Sequence, residues 1–507
     1  MQEYILAHDL GTSGNKATLY NLKGKLAASL TVPYETQTPA NGFVEQDPEE
    51  WWTAVCRSAR ELMERAGIRK EQVACVTFSG QMMGCVLVDE KGRHLHPALI
   101  WADTRADGLM EKVEEQVDGR EAYRITGHRL SASYSAAKCR WIKDHRPEVY
   151  EKAFKLLNAK DYMICRLTGE FATDYSDASG TNLLDLEKKE WSGRMADAYG
   201  LRIDLLPELY TSTHRIGEIT KEAAAQTGLL RGTPVIMGGG DGSCAAAGAG
   251  AVEEGRMYNV LGSSSWISNA SKVPVFDREM RTFNWVALDE KLYTPCGTMQ
   301  AAGYSFQWTM RTLCDYEKDF AEKKGLKLPE YLNERAAARP AGANRLLFLP
   351  YLLGERSPRW NLDARGTFIG LGAIHTKDDM IRSVMEGVGY NLKVILDILE
   401  RKLPAEELTL IGGGASSAVW VQMLADIWRK RILIPRYVEE ATSMGAAVCA
   451  GVGIGAFSDF GVIHTLNPVE RIIEPQPENF GIYGKMYRLF NESYDALEPV
   501  YHKLNRV

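Results

Sequence analysis

The stretch from residue 5 to residue 20 reads ILAHDLGTSGNKATLY. An apolar run ends at the acid Asp9, a small flexible turn (GTSG) follows, and Lys16 precedes a second β-prone run. This order predicts a β-hairpin whose tip offers backbone N–H groups, the hydroxyls of Thr12 and Ser13, and an ammonium group to an anion. Asp9, at the strand end, is placed to hold a hydrated cation such as Mg²⁺. The hairpin therefore predicts a site for the phosphates of a nucleotide, although one hairpin alone fits an ordinary glycine turn equally well.

Length and composition bound the class of protein. A chain of 507 residues is too long for one compact core and predicts two large domains or three smaller ones. Its 25% charged and 45% hydrophobic residues are typical of a globular protein, and a net charge of −6 offers no basic footprint for nucleic acid. We find no apolar run of about 18 residues and no secretory pattern in the opening MQEYILAHD, so neither a membrane helix nor export is expected.

The nine cysteines are scattered singly and form no CxxC pair, which disfavours zinc ribbons and redox dithiols. Many lie in apolar surroundings such as VACVTF and AVCAG, where a buried reduced thiol is expected. This usage predicts a reducing, cytoplasmic location. The cysteines are Cys56, Cys75, Cys85, Cys139, Cys165, Cys244, Cys296, Cys314 and Cys449.

Apolar strands run into glycine-rich turns at three places, namely Asp9–Gly14, Gly238–Gly242 and Gly412–Ser417. A fourth tip, Gly262–Ser265, follows the apolar run Arg256–Leu261 and repeats the order of the first hairpin. Glycine permits a ligand to approach the backbone closely, and the N-terminus of a following helix favours anions. Together these turns favour a nucleotide or polyphosphate site, with a related lobe in each half of the chain around one cleft. The chain has no Walker P-loop, no dinucleotide GxGxxG after a first strand and no HExxH.

Asp241 is the acid that we predict to act as a general base. It follows three glycines at a strand end and precedes a small-residue helix, GSCAAAGAG. A carboxylate at this junction can reach a substrate hydroxyl while backbone amides face a phosphate, and transfer of a γ-phosphoryl group requires little more than positioning, charge stabilisation and such a base. The alternative interpretation is that Asp241 only caps the helix.

Two further clusters are candidates for binding a polyol. Ser79-Gly80-Gln81-Met82-Met83-Gly84 lies between two predicted strands, and Trp101-Ala102-Asp103-Thr104-Arg105 follows soon after. The second cluster combines an aromatic wall, an acid and a base, which suits hydrogen bonding to hydroxyl groups. Its alternative interpretation is a solvated loop with an internal pair between Asp103 and Arg105.

These motifs resemble those of the FGGY carbohydrate kinases, within the superfamily of sugar kinases, actin and heat-shock chaperone ATPases. Segments such as EQDPEEWW (45–52), IWADTRAD (100–107) and FLPYLLGERSP (348–358) are most similar to the xylulose kinases of that family. The segments that carry the family resemblance are DLGTSGNK (9–16), SYSAAKCRWIKDH (133–145), GGGDGSCAAAGAG (238–250), GTFIGLGAIHTKDDMIRSVMEG (366–387), IGGGASSAVWVQMLAD (411–426) and EEATSMGAAVCAG (439–451).

The resemblance implies a role for each candidate residue. Asp241 would take the proton from the sugar hydroxyl, and Asp9 with Asp241 would position Mg²⁺. The implied phosphate-binding residues are Gly11, Thr12, Ser13, Lys16, Gly262 and Ser263. The implied adenosine-binding residues are Gly413, Gly414 and Ser417, and the implied sugar-binding residues are Gln81, Met82, Met83, Asp103 and Asp241.

Two departures from the family pattern fall on the sugar pocket. Xylulose kinases usually have Met-His where this chain has Met82-Met83, and a polar pair such as Asp-Asn where it has Asp241-Gly242. A thioether accepts hydrogen bonds weakly and donates none, and glycine offers no side chain. Because such contacts discriminate strongly between sugars, the pocket is expected to accept D-xylulose or a different ketose or polyol.

The resemblance implies an α/β fold of two ribonuclease-H-like domains, each with a mixed sheet flanked by helices, and a cleft between them. We predict domains at 1–248 and 249–507, with ATP between them and the sugar deeper in the cleft. The predicted reaction transfers the γ-phosphoryl group of ATP to a ketopentose such as D-xylulose, with Mg²⁺. The alternatives are a kinase for ribulose, fuculose, erythritol or gluconate, a related fold that has lost activity, and a non-catalytic nucleotide-gated regulatory protein. A homodimer, common among relatives, is compatible with the chain, and a membrane or nucleic-acid partner is not expected.

Overall fold

The computed structural model describes residues 3–506, and its N-terminal half (3–248) contains strands and helices in alternation. The strands are Tyr4–Leu10 (β1), Gly14–Asn21 (β2), Leu26–Pro33 (β3), Glu45–Gln46 (β4), Val73–Gly80 (β5), Val86–Val88 (β6), Ala98–Leu99 (β7), Lys155–Leu157 (β8), Ala172–Asp174 (β9), Leu184–Asp185 (β10), Glu190–Trp191 (β11), Glu208–Tyr210 (β12), Arg215–Glu218 (β13) and Pro234–Gly240 (β14). The helices are Pro48–Ala66 (α1), Met110–Glu114 (α2), Gly119–Thr126 (α3), Ser135–His145 (α4), Pro147–Lys152 (α5), Ala159–Thr168 (α6), Tyr175–Ser179 (α7), Gly193–Tyr199 (α8), Lys221–Thr227 (α9) and Asp241–Gly248 (α10).

The C-terminal half (249–506) has longer helices and fewer short strands. Its strands are Met257–Leu261 (β15), Ser265–Asn269 (β16), Phe283–Val286 (β17), Tyr293–Met299 (β18), Leu347–Leu349 (β19), Thr367–Ile369 (β20), Glu407–Ile411 (β21), Arg431–Pro435 (β22) and Val469–Ile473 (β23). Its helices are Gly303–Leu313 (α11), Asp315–Lys324 (α12), Leu328–Ala337 (α13), Lys377–Glu400 (α14), Ala418–Trp428 (α15), Ala441–Gly453 (α16), Ile463–Leu466 (α17) and Phe480–Leu504 (α18). Within residues 3–506, no helix combines the length and apolar character that crossing a membrane requires.

Each half is built on one large mixed sheet. The first runs β3-β2-β1-β5-β14-β13, and the second runs β17-β18-β16-β15-β21-β22-β23. Six strands follow the same order in both sheets, and β17 is an additional edge strand of the second. In both sheets the opening hairpin is antiparallel, its first strand pairs in parallel with the next long strand, and the edge strand beyond is antiparallel. This is the predicted two-domain α/β architecture, and the repeated order supports the two related lobes that the sequence indicated.

Both predicted hairpins form. In the first, Leu10 pairs with Asn15 and leaves a tip at 11–13. In the second, Leu261 pairs with Ser265 and leaves a tip at 262–264. Each hairpin lies in the middle of its sheet, so its tip projects from a strand end that is anchored on both sides.

Helix α1 begins where its sequence predicts. The side chain of Asp47 accepts a hydrogen bond from the backbone N–H of Glu49, and Pro48 occupies the first helical position. Proline is tolerated there because its missing N–H has no partner inside the helix. The helix ends at Ala66 and is followed by Gly67 in a left-handed conformation (φ 63°), which glycine adopts without a steric penalty because it has no Cβ.

Helices α10 and α16 cross without space for side chains at the contact. A Cβ added to Gly248 would lie 1.8 Å from the carbonyl oxygen of Ala441, and a Cβ added to Gly445 would lie 1.9 Å from that of Cys244. Helix α16 belongs to the C-terminal half, yet its Met444 and Val448 pack in one buried cluster with residues of the N-terminal sheet such as Ile5. This crossing therefore joins the two halves.

We predict that Gly445→Ala destabilises the protein, because the added methyl group must displace backbone of α10. Overpacking of a close contact costs about 1–3 kcal/mol. Gly481→Ala in α18 is the matched control, since its Cβ would meet nothing within 4 Å, and alanine there should raise stability by about 0.5–1 kcal/mol. Urea unfolding followed by circular dichroism should give a lower midpoint for the first variant only; equal midpoints would contradict the close crossing.

Candidate functional site

The candidate site is a partly open cavity of about 130 Å³ between the two halves. Thr12 of the first tip and Ser264 of the second lie on its wall, and Asp241 lies on the same wall. Five aromatic side chains also line the cavity, namely Trp101, Tyr134, Trp266, Phe283 and Trp285. Strand ends and a helix start therefore bring one acid and hydroxyl groups from both lobes to a largely apolar chamber, which is the usual composition of a small-molecule site.

Asp241 is the first residue of α10 and follows β14 directly. The residue at the N-cap is Gly240, and the Asp241 carboxylate instead accepts a hydrogen bond from the N–H of Gly242 at 2.7 Å. Burial, and then the charge of Asp9, raises the pKa of Asp241 to about 7. A carboxyl group with that pKa exchanges its proton near neutral pH, as a general base must.

Asp9 is the last residue but one of β1 and lies in the neighbourhood of Asp241. Its Oδ1 accepts a hydrogen bond from Ser79 Oγ at 2.9 Å, and burial raises its pKa, with Ser79 and Lys16 acting in the opposite direction. Within residues 3–506 no group of three or more His, Cys, Asp or Glu side chains forms a metal cage. Asp9 and Asp241 are close enough for the charge of Asp9 to raise the pKa of Asp241. Such a pair of carboxyl groups fits Mg²⁺, which usually takes one or two carboxylates and completes its shell with water and phosphate oxygens.

Neighbouring side chains hold the first tip in place. The carbonyl oxygen of Thr12 accepts a hydrogen bond from Gln46 Nε2 at 2.6 Å, and its hydroxyl accepts one from Trp101 Nε1 at 2.9 Å. Ser13 is exposed, and the carbonyl of Gly11 accepts a hydrogen bond from the Tyr34 hydroxyl. The tip is therefore fixed by contacts that leave its outer face accessible.

Lys16 reaches from the first hairpin to the other half of the chain. Its Nζ donates a hydrogen bond to the carbonyl oxygen of Glu439 at 2.9 Å and lies 4.0 Å from a carboxylate oxygen of Glu440. The ammonium group thus lies at the junction between the halves, where the sequence places the start of α16.

The residues predicted to bind adenosine and the second phosphate tip line one open cleft of about 570 Å³. They come from the turns that directly follow β15 and β21. The half-buried Asn333 also lines this cleft, and its side-chain oxygen has no hydrogen-bond partner among residues 3–506. The predicted residues on this cleft are Gly262, Ser263, Gly413, Gly414 and Ser417.

The five predicted sugar-binding residues divide into two groups. Met82 and Met83 lie on the cavity wall together with Asp241. Met83 has a left-handed backbone (φ 64°), and its carbonyl accepts a hydrogen bond from the fully buried Lys138 Nζ at 3.0 Å. Burial lowers the pKa of Lys138 to about 7. The other two predicted residues, Gln81 and Asp103, are not on the wall of this cavity.

Gln81 and Asp103 are instead used inside the protein. Gln81 donates a hydrogen bond to Gln46 at 2.8 Å. Asp103 is buried, accepts a hydrogen bond from the N–H of Val44 at 2.7 Å, and pairs with Arg105 at 2.8 Å. The alternative interpretation, an Asp103–Arg105 pair, is thus present, but it is buried rather than solvated, which no local sequence pattern indicated.

Sequence reasoning missed Arg356 and Trp285, which both line the cavity. Arg356 forms no ion pair among residues 3–506, and its Nε has no hydrogen-bond partner there. The neighbouring Glu355 forms no ion pair with the guanidinium group: burial raises the pKa of Glu355 to about 8, and its oxygens accept hydrogen bonds from the N–H groups of Gln300 and Arg356 and from Asn391. The segment FLPYLLGERSP contains this arginine, so a charged group at the end of an apolar run was the available signal.

Comparison with known proteins identifies the class. The model of the FGGY family of carbohydrate kinases matches in two parts, its N-terminal domain over residues 4–248 and its C-terminal domain over residues 257–454. The chain belongs to this family. It is therefore a phosphotransferase that acts on a hydroxyl group of a carbohydrate, and the kinases of this family use ATP as the phosphate donor.

Individual relatives point to more than one acceptor. A xylulose kinase from Bacillus subtilis is 35% identical over 458 residues, which is 90% of this chain and 89% of that protein. A ligand-bound xylulose kinase and a gluconate kinase, both from Lactobacillus acidophilus, each superpose with a TM-score of 0.91 at 27% identity over 99% of both chains. The fold and the family are thus established, and the choice between these acceptors is not.

We predict that Asp241→Asn stabilises the folded protein increasingly as pH rises. Because the pKa of Asp241 is raised by folding, the unfolded chain loses this proton at lower pH than the folded chain does. The folded state is therefore penalised from about pH 4 upwards, and the full penalty is present above about pH 7. The difference between variant and wild type should grow by at most about 1.4 kcal/mol per pH unit across this window.

Thermal unfolding at pH 5 and pH 8 without metal ions measures this difference. Asp319→Asn is the control, because Asp319 is exposed and forms no ion pair among residues 3–506. A stability gain of Asp241→Asn that is the same at both pH values would show that burial of the carboxylate is not its cause.

Proposed function

We propose that this kinase transfers the γ-phosphoryl group of ATP to a hydroxyl of an open-chain sugar or polyol, with Asp241 as the general base. The observation that carries the proposal is that Asp241, with a pKa raised to about 7, lines the same cavity as Thr12 and Ser264 from the two hairpin tips. A regulatory protein that only binds nucleotide has no need of an ionisable base in an acceptor-sized chamber.

The proposed steps use groups of this chain. Asp241 accepts the proton of the attacking hydroxyl as the hydroxyl oxygen forms its bond to the γ-phosphorus. The bond between that phosphorus and the bridging oxygen breaks, and ADP leaves. Asp9 and Asp241 would hold Mg²⁺, which neutralises phosphate charge when it is bound. Closure of the two halves around the cavity excludes water, which otherwise competes as acceptor. The residues proposed to hold phosphates are Gly11, Thr12, Ser13, Lys16, Gly262 and Ser263, and those proposed for adenosine are Gly413, Gly414 and Ser417.

A ketopentose such as D-xylulose is the first acceptor that we propose, and the similarity to xylulose kinases supports it. Met82 and Met83 would contact the sugar directly. Gln81 and Asp103 would act through the residues that they hold, since neither side chain lies on the cavity wall.

Gluconate is the second candidate, and Arg356 favours it. A guanidinium group at the wall of a largely apolar cavity that forms no ion pair among residues 3–506 leaves its charge only partly compensated. A carboxylate on the acceptor would supply the missing partner and could bind in bidentate geometry. The gluconate kinase among the structural neighbours is consistent with this acceptor.

We also propose the domain division at 1–248 and 249–507 and a cytoplasmic location. The sheet of each half supports the first, and nine free, buried cysteines support the second. A homodimer stays a prediction, and size-exclusion chromatography with light scattering tests it.

We predict that Asp241→Asn lowers kcat by about 10²–10⁴-fold, because general base catalysis contributes a factor of this size. In the wild type, kcat/KM should fall about tenfold per pH unit below about pH 7, since protonation removes the base. ADP release over a panel of ketoses, polyols and aldonates measures both effects. Sugar-stimulated turnover that the variant retains in full would overturn the assignment of the base.

We predict that Arg356→Gln discriminates between the two acceptors. If gluconate binds through its carboxylate, its KM should rise at least about tenfold, while the KM of ATP stays within about twofold. Arg335→Gln is a control, since Arg335 pairs with Asp378 and does not line the cavity. Equal losses for gluconate and D-xylulose would exclude a role for Arg356 in recognising a carboxylate.

A further inference from the structure

The departure at Gly242 has a structural cause. A Cβ at this position would lie 2.6 Å from Cζ3 and 3.1 Å from Cε3 of Trp285. Gly242 is buried in the first turn of α10 and does not have a positive φ, so glycine is required here for space and not for backbone conformation. The indole occupies the volume that a side chain after the base would fill.

The indole is held firmly beside the base. Trp285 lies on β17, from the C-terminal half, and is 6% exposed. The next residue, Val286, accepts a hydrogen bond from Ser243 Oγ at 2.9 Å, and Ser243 is the residue after Gly242. The carbonyl of Gly242 accepts another from the hydroxyl of Tyr258 at 2.9 Å. β17 and α10 thus hold each other at the point where Asp241 enters the cavity.

The polar edge of the indole has no partner. Trp285 Nε1 is buried and forms no hydrogen bond among residues 3–506, although the residue lines the cavity. An indole N–H only donates, and leaving such a donor buried and unpaired is unfavourable. The neighbouring Trp266 differs, because its Nε1 donates to Tyr258 at 3.1 Å. The unpaired donor is therefore a feature of Trp285 that the indole of Trp266 does not share.

We propose that Trp285 is a specificity-determining residue whose indole N–H donates a hydrogen bond to an oxygen of the acceptor. The inference rests on the proposed function of the cavity. Nε1 and the ring atoms next to Gly242 lie on opposite edges of the indole. The N–H would therefore donate to an acceptor oxygen that is remote from the hydroxyl beside Asp241. Gly242 and Trp285 thus act as one pair that sets which open-chain acceptors fit.

Trp285→Phe tests the N–H while retaining an aromatic ring. For each acceptor that the wild type phosphorylates, the KM should rise about tenfold, kcat should change less than about threefold, and the KM of ATP should not change, since one hydrogen bond to the acceptor is lost. Trp191→Phe is the matched control: its Nε1 donates to the carbonyl of Pro207 outside the cavity, and acceptor KM should stay at the wild-type value.

A double-variant cycle tests the pairing. Gly242→Ala alone should weaken acceptor binding, because the methyl group collides with the indole, and Trp285→Phe in the same chain should restore part of the loss by removing the outer ring atoms. The two changes should therefore be coupled and not additive. Thermal unfolding of each variant separates loss of folding from loss of binding.

Acceptor binding by titration calorimetry, with a non-hydrolysable ATP analogue present, provides a readout that does not need turnover. An unchanged acceptor Kd and KM in Trp285→Phe, or additive effects in the cycle, would overturn the inference while leaving the kinase assignment intact. Failure of every sugar, polyol and aldonate to bind or react with the wild type would instead overturn the proposed function.

Discussion

The close contact between α10 and α16 fixes how the two halves of the chain meet. The two helices approach so closely that backbone carbonyls occupy the positions where a Cβ of Gly248 or Gly445 would lie. Helix α16 comes from the C-terminal half but covers the N-terminal sheet, so this contact also sets how the halves face each other. The start of α10 carries Asp241, and the same contact therefore determines where the acid points.

Placing that acid between two lobes has opposite effects on stability and on chemistry. Burial raises the pKa of Asp241 to about 7, which disfavours the ionised folded state at neutral pH. The same shift makes the carboxyl group an effective base near neutral pH. Arg356 and Trp285, which both line the cavity, follow this pattern, since Nε of the first and Nε1 of the second are buried and form no hydrogen bond among residues 3–506. The chamber is thus built at some cost to the folded protein, as functional sites often are.

Local pattern predicted much of this site. The hairpin at 5–20, the cap at Asp47 and the strand-to-glycine junction before Asp241 follow from short-range rules, and the structure contains each of them. The roles of Asp103 and Arg356 did not follow. Asp103 sits in a motif suited to sugar binding, yet it is paired with Arg105 inside the protein. Arg356 lies more than a hundred residues from Asp241 along the chain, and no spacing rule brings them to one cavity.

Turns, caps and strand ends depend on neighbouring residues, so the amino-acid sequence was enough to predict the class of element at each motif. The motifs taken together also indicated the kinase family. Which side chains share the chamber, and in what ionisation state, followed only from the fold, because burial and contacts between distant segments set both. Gly242 illustrates the division. The sequence shows only that position 242 has no side chain. The fold shows that the indole of Trp285, from the other half of the chain, occupies the space that a side chain there would fill.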